Sequence, residues 1–239
     1  INNQLSLTRK ANFQLGYRGN RYDGRYRTDQ LVAYPEGNRW VNGEEETKSR
    51  YNNAWDVGLN YSHSERVNWF ASCATSFRIP NVDAMAEADD DLHPQKGFHV
   101  DAGGRFKFFD RLELTATLFN LIIEDEIYYS EINRNYDDNT VRRGLELDFK
   151  YRLIPSVFTW GNYTYTHARF EEKDTVVPLV PTHMASAGIE WRILEPLAIL
   201  FTGTFVGERY DGNDIDNDTY EKLDAYAVLD TRVNYTYKG

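Results

Sequence analysis

The chain has 239 residues, a formal net charge of −10 and a single cysteine, Cys73. The acidic balance argues against a nucleic-acid partner, one cysteine rules out an internal disulfide, and no window approaches the roughly 18 consecutive apolar residues of a membrane helix. Mean hydropathy is −0.64, yet aromatics reach 15%, with 17 Tyr, 13 Phe and 5 Trp, a content that suits the aromatic girdles of membrane β-barrels.

The dominant pattern has period two, which means extended strand, because successive side chains point to opposite sides of a sheet. Ten strands are predicted, near residues 11–27, 50–63, 66–78, 94–108, 111–127, 139–152, 156–169, 181–193, 197–210 and 224–237. The separation is cleanest in the fourth, where Phe98, Val100, Ala102, Gly104, Phe106 and Phe108 share one face and His99, Asp101, Gly103, Arg105 and Lys107 the other. Leu112, Leu114, Ala116 and Leu118 repeat this against Glu113, Thr115 and Thr117 in the fifth. Aromatics gather at strand ends, as with Tyr17, Tyr22 and Tyr26, Tyr61 and Trp69, and Tyr235 and Tyr237. Cys73 shares a face with Val67, Trp69 and Ala71 and reads as a small apolar filler.

Connections alternate in length. Residues 63–65, 109–110, 153–155 and 194–196 are tight, whereas 28–49, 79–93, 128–138, 170–180 and 211–223 are long and polar. That is the layout of an antiparallel up-and-down barrel with short periplasmic turns and large extracellular loops; a soluble sandwich has no reason to sort its loops by end. Energetics then assigns the faces. Lys or Arg facing lipid at mid-membrane costs roughly 2–4 kcal/mol, so Arg142, Glu146, Asp148, Lys150 and Arg152 must face a wet lumen, opposite Leu145, Leu147, Phe149 and Tyr151. The fold class expected is therefore all-β, a partial antiparallel up-and-down transmembrane β-barrel contributing about ten strands to a larger one.

Several fragments resemble the C-terminal barrel half of TonB-dependent outer-membrane receptors. They are Ser76-Phe77-Arg78-Ile79-Pro80-Asn81 closing a strand, and Leu92-His93-Pro94-Gln95-Lys96-Gly97 opening the next, with Gln95 where the family usually has Glu. Arg143-Gly144-Leu145-Glu146, Asn162 to Ala168, Val177 to His183, and Tyr226 to Asp230 follow in the family's order. The resemblance implies active import of a ferric siderophore, cobalamin or similar scarce ligand across the bacterial outer membrane. It further implies energy from the TonB–ExbB–ExbD system, and contact with outer-membrane lipid and lipopolysaccharide. Residues 1–239 would form one barrel domain, roughly strands 11 to 20 of the ~22 in such receptors. The plug, energy-coupling box and last two strands would lie outside it. Ile1 is not followed by the basic and apolar regions of a signal peptide.

Ligand capture needs aromatic surfaces for stacking and cations for charge-assisted bonds at the outer mouth. Arg39 and Trp40 in the first long loop, Tyr129, Arg134 and Tyr136 in the third, and Arg209 and Tyr210 at the top of strand 197–210 have that character. Each can equally be an interfacial or lumen residue of any barrel. No catalytic constellation is legible: the five histidines are scattered, and no nucleophile elbow, HExxH spacing or cofactor fingerprint occurs. Asp214, Asp216 and Asp218 alternate like calcium ligands, but Thr219 and Ala225 stand where an EF-hand loop needs Gly and Glu. A solvated acidic loop is the competing reading there, and for Glu44 to Glu46 and Asp89 to Asp91. The rival functions are a passive porin-like barrel and an outer-membrane hydrolase.

Overall fold

The computed structural model describes residues 2–6, 8–27, 29–81, 84–85, 88 and 92–237; the Asp89 to Asp91 run lies outside them. The long strands are β1 (Asn2–Ser6), β2 (Ala11–Arg27), β5 (Glu45–Ser62), β6 (Val67–Arg78), β7 (Gln95–Phe108) and β8 (Leu112–Glu124). They continue with β11 (Thr140–Ile154), β12 (Val157–Phe170), β13 (His183–Leu194), β14 (Leu197–Val206) and β15 (Tyr226–Tyr235). These form one 11-stranded sheet in strict chain order, every neighbouring pair antiparallel. Two hairpins stand apart from it: β3 (Gln30–Tyr34) with β4 (Gly37–Val41), and β9 (Ile127–Ser130) with β10 (Ile132–Asn135).

All ten expected strands are present, and β1 adds an eleventh. Strand 197–210 stops earlier than its pattern suggested, at Val206, so Tyr210 lies in the following loop. The expected third and first long loops are not irregular throughout, since each carries a hairpin.

Cross-strand register confirms the two faces. Leu145 pairs with Leu118 and Tyr165, Leu147 with Ala116 and Tyr163, and Phe149 with Leu114 and Gly161. Ile189 pairs with Phe201. Opposite them, Lys150 pairs with Glu113 and Asp148 with Thr115, while Lys107 Nζ reaches Glu113 Oε1 at 3.3 Å. The apolar face is bare: Leu118 is 64% exposed, Val233 61% and Leu229 85%. Buried hydrophobic residues among those described are few, namely Leu92, Ile123, Ala168, Phe170, Val177 and Val206. Several of them cluster at the long-loop end. A sandwich would have spent its alternating face on a second sheet; here that face is left for hydrocarbon. Tyr61, Trp69, Phe108, Tyr151, Trp191 and Tyr235 gird it at the short-turn end, where amphipathic rings favour a membrane boundary.

Five register pairs set a large ring over a glycine: Phe70 on Gly103, Trp69 on Gly104, Phe119 on Gly144, Phe149 on Gly161 and Trp160 on Gly188. The rings occupy the space that a side chain would need. A Cβ built on Gly188 would sit 2.5 Å from Trp160 Cε2, and one on Gly161 2.7 Å from Phe149 Cε1. Such aromatic cover over glycine pins strand register.

The facing generates a direct test. Leu147→Arg puts a guanidinium into the bilayer midplane and should cost roughly 2–4 kcal/mol of folding free energy in phospholipid vesicles. Asp148→Arg, one residue along on the water-facing side, should cost far less. Equal losses in urea titrations of the intact protein would refute the assignment of faces.

Candidate ligand-binding rim

The connections after β8, β12 and β14 do not hang free; they lock together by buried polar contacts. At the base, the Arg142 guanidinium donates to both Glu126 carboxylate oxygens, at 2.7 Å (Nη2–Oε1) and 3.0 Å (Nη1–Oε2), and also to Thr140 Oγ1 at 2.7 Å. The fully buried Thr140 hydroxyl donates to the same carboxylate. A bidentate pair with few exposed atoms holds its geometry firmly. Above it Tyr136 stacks on Tyr128 with ring centres 4.2 Å apart, and Phe170 meets it edge-on at 4.8 Å. Burial first, and then the Glu126 charge, push the Tyr136 phenol up to about 12.

Tyr136 also packs on a small core of Ala168, Phe170 and Val177, joined by Val180 and Ile215 from the next two loops. Asn135 reaches back, its side chain accepting the His93 N–H at 2.8 Å and donating to the His93 carbonyl at 3.1 Å and the Asp125 carbonyl at 2.6 Å. Asn217 accepts the Val176 N–H and donates to the Val176 carbonyl at 3.0 Å, zipping the last loop to its predecessor. The Leu179 N–H donates to the Tyr210 carbonyl at 3.0 Å.

Asp214 answers the calcium reading. Its side chain is 1% exposed, and its carboxylate accepts the N–H groups of Asp218 at 3.0 Å, Thr219 at 3.1 Å and Tyr220 at 3.3 Å. The Asp214 oxygens are used on backbone donors, as in a large Asx turn, while Asp218 Oδ1 accepts the Thr219 hydroxyl at 3.2 Å. Among the described residues no three His, Cys, Asp or Glu side chains converge on a metal-sized point.

The seven expected binding residues fall into three groups. Arg39 and Trp40 lie on the β3–β4 hairpin, Arg39 paired with Glu36 at 3.6 Å and Trp40 69% exposed. Tyr129 and Arg134 lie on the β9–β10 hairpin, where Tyr129 is 61% exposed; Tyr136, just past it, is packed. Arg209 and Tyr210 belong to the last loop. Arg209 sits over the Tyr226 ring at 5.4 Å and its backbone pairs with Leu223, while Lys222 covers the Tyr210 ring at 5.0 Å and binds Glu208 at 2.6 Å. The interlocked loops connect the Tyr129 and Tyr210 groups. Sequence reasoning gave no rim-holding role to Glu126, Tyr128, Phe170, Val177 or Asn217; that signal is tertiary.

One Ser–His contact forms on the charged face, Ser76 Oγ to His99 Nε2 at 3.3 Å. No carboxylate among the described residues hydrogen-bonds that ring to complete a triad.

A pH test follows from Asp214. Burial raises its pKa, but backbone N–H groups from Thr219, Tyr220, Asp218 and Asn217 together outweigh that and hold the carboxyl below its ordinary 3.8. A depressed folded-state pKa contributes stability that is present above the unfolded value and lost as pH falls through the folded one. Amide exchange in residues 214–220 should stay slow down to about pH 4 and accelerate only below. Asp214→Ala should make those amides fast at neutral pH, and unchanged exchange in that variant would refute the role.

Comparison with known proteins agrees with this architecture. The family described as TonB dependent receptor-like, beta-barrel matches residues 1–238. The ferrichrome outer membrane transporter/phage receptor of Escherichia coli (strain K12) is 28% identical over 191 residues, covering 76% of this chain and 25% of that protein. Among solved structures, the closed form of the ferric-catecholate import receptor Fiu from K12 E. coli is similar with TM-score 0.79 and 21% identity, over 98% of this chain and 37% of that one. The ferric yersiniabactin uptake receptor FyuA from Yersinia pestis is similar with TM-score 0.75 and 18% identity, over 98% and 37%. The chain thus spans about a quarter of the curated relative's length and little more than a third of these structures. With a bare apolar face, a charged opposite face and long loops sorted to one end, this chain belongs to the TonB-dependent receptor β-barrel family of the bacterial outer membrane.

Proposed function

We propose that this chain is the wall and outer mouth of a receptor that actively imports a scarce chelate, such as a ferric siderophore, with energy supplied through TonB. The observation carrying this reading is the β9–β10 hairpin. Anchored by Asn135 and Tyr136, it raises the exposed Tyr129 ring above a rim that its own loops have fixed. A ring held on a rigid support loses little freedom on stacking against a flat ligand, which is how pre-organisation improves affinity. Trp40 and Arg39, on the β3–β4 hairpin, and Arg134, opposite Tyr128 on the β9–β10 hairpin, supply further stacking and charge-assisted contact. Tyr136 and Tyr210 work chiefly as supports, because their rings already have partners within the rim, whereas Arg209 sits over the Tyr226 ring with a buried Nη1 that has no hydrogen-bond partner among the described residues.

Barrel residues do no bond chemistry in this scheme. Loops capture the chelate, charged lumen residues such as Lys107, Glu113, Asp148 and Lys150 line the passage, and energy-driven movement of a plug opens it. The passive porin remains the contrasting mechanism, and transport kinetics separate the two. Cells carrying the intact receptor should take up radiolabelled ferrichrome or a ferric catecholate saturably, and uptake should stop when the inner-membrane proton gradient is collapsed. Unsaturable uptake that survives the collapse would leave the porin. Tyr129→Ala should weaken binding by about 1 kcal/mol, close to fivefold in Kd, with normal barrel folding. Tyr136→Ala should instead loosen the loops, raising their protease sensitivity.

A further inference from the structure

A cleft of about 670 Å³ opens on the apolar face at the short-turn end, lined by Phe108, Phe109, Arg111, Leu112 and Tyr151. Phe108, Leu112 and Tyr151 are neighbours in register on β7, β8 and β11. All three strands are interior to the sheet, so neither edge of the sheet reaches the cleft. A plug would occupy the charged face, on the other side of the wall. In the membrane, what touches this cleft is lipid.

The turn that builds it is chemically unusual. The Arg111 N–H donates to the Phe108 carbonyl at 3.1 Å, closing a tight turn whose central residues, Phe109 and Asp110, both take left-handed φ angles of 51° and 53°. Such turns ordinarily carry Asn-Gly or Asp-Gly, and a bulky aromatic at positive φ is a genuine outlier. The strained residue is also 86% exposed. Strain is retained where something gains by it, and here the gain is a phenyl ring held out from the turn beside a cation. The Arg111 side chain is exposed and makes no ion pair or hydrogen bond among the described residues, while its carbonyl is fixed by the Arg152 N–H at 2.9 Å.

We propose that Phe109, Arg111 and Tyr151 form a binding site for one phospholipid of the inner, periplasm-facing leaflet. Arg111 takes the phosphate, and an acyl chain lies along Phe108, Leu112 and Tyr151. Short turns of such barrels lie at the periplasmic side, where phospholipid headgroups meet them. Charge favours this occupant, a free guanidinium opposite a phosphodiester, and so does shape, an apolar wall leading away from that charge. Aromatic rings at the headgroup level fix its depth.

The test is native mass spectrometry of the intact receptor in detergent, titrated with dioleoyl phosphatidylglycerol. The wild type should hold one lipid more tightly than its background. Arg111→Gln should lower that occupancy about fivefold, the factor expected from one cation near a lipid surface. Phe109→Asn suits the left-handed backbone, so it should fold with normal heat-modifiable mobility and still lose the lipid. Lys107→Gln, on the charged face and paired with Glu113, should bind as wild type. Equal lipid retention by the Arg111 and Phe109 variants would overturn the proposal. So would displacement of the lipid by inorganic phosphate at equal concentration, which would mark a mere anion site.

Discussion

Backbone hydrogen bonding inside hydrocarbon is the constraint on which everything else here depends. With lipid on one face there is no water to satisfy a stray N–H or C=O, and each orphan costs several kcal/mol. A continuous antiparallel meander from β1 to β15 meets that demand strand by strand. It explains why the strands are long, why the turns at one end are tight, and why irregular backbone is confined to the far end. The two-residue alternation then follows, since each strand must present oil outward and charge inward. The glycine–aromatic pairs serve the same end from the side-chain level. A one-residue slip would exchange the two faces and drive a neighbouring Cβ into Trp160, Phe149 or Phe119.

The rim obeys the opposite rule. There water is present, and polar side chains can be used as mortar. Glu126, Thr140 and Arg142 form a partly buried ionic base; Asn135 and Asn217 imitate a missing strand by bonding both the N–H and C=O of a neighbouring loop. The small apolar core around Phe170 and Val177 sits over this base rather than in the sheet. The molecule therefore has two zones with different sources of order, one supplied by the bilayer and one by its own loops.

Residue patterning revealed the first zone and little of the second. Strand faces were legible because lipid penalises each misplaced charge, which leaves an uninterrupted period in residues such as Phe98 to Phe108. The hairpins were not. β9–β10 turns through Glu131 at φ 64°, with no Gly or Asn to announce it, and its strands are only four residues long. For β3–β4 a signal did exist: Pro35-Glu36-Gly37, with Gly37 at φ 126°, is ordinary turn chemistry. β1, Asn-Asn-Gln-Leu-Ser, is too short and polar to show a period. Of the expected binding residues, Trp40 and Tyr129 keep exposed rings. Tyr136 is packed away, because whether a loop tyrosine meets solvent or a neighbour depends on loops distant in sequence. The burial of Asp214 within the acidic alternation was illegible for the same reason: composition cannot say which donors a carboxylate will meet.

The interlocking of the loops between Asp125 and Leu223 bears on how such a mouth can diverge. A loop that stood alone could be exchanged between relatives, or lengthened, without disturbing its neighbours. Here Asn217 depends on Val176, Tyr136 on Phe170, and Leu179 on Tyr210, so a graft of any single connection would strip partners from at least one other. New specificity is thus most accessible through replacements at the hairpin tips, or through wholesale transfer of the entire crown as one cassette.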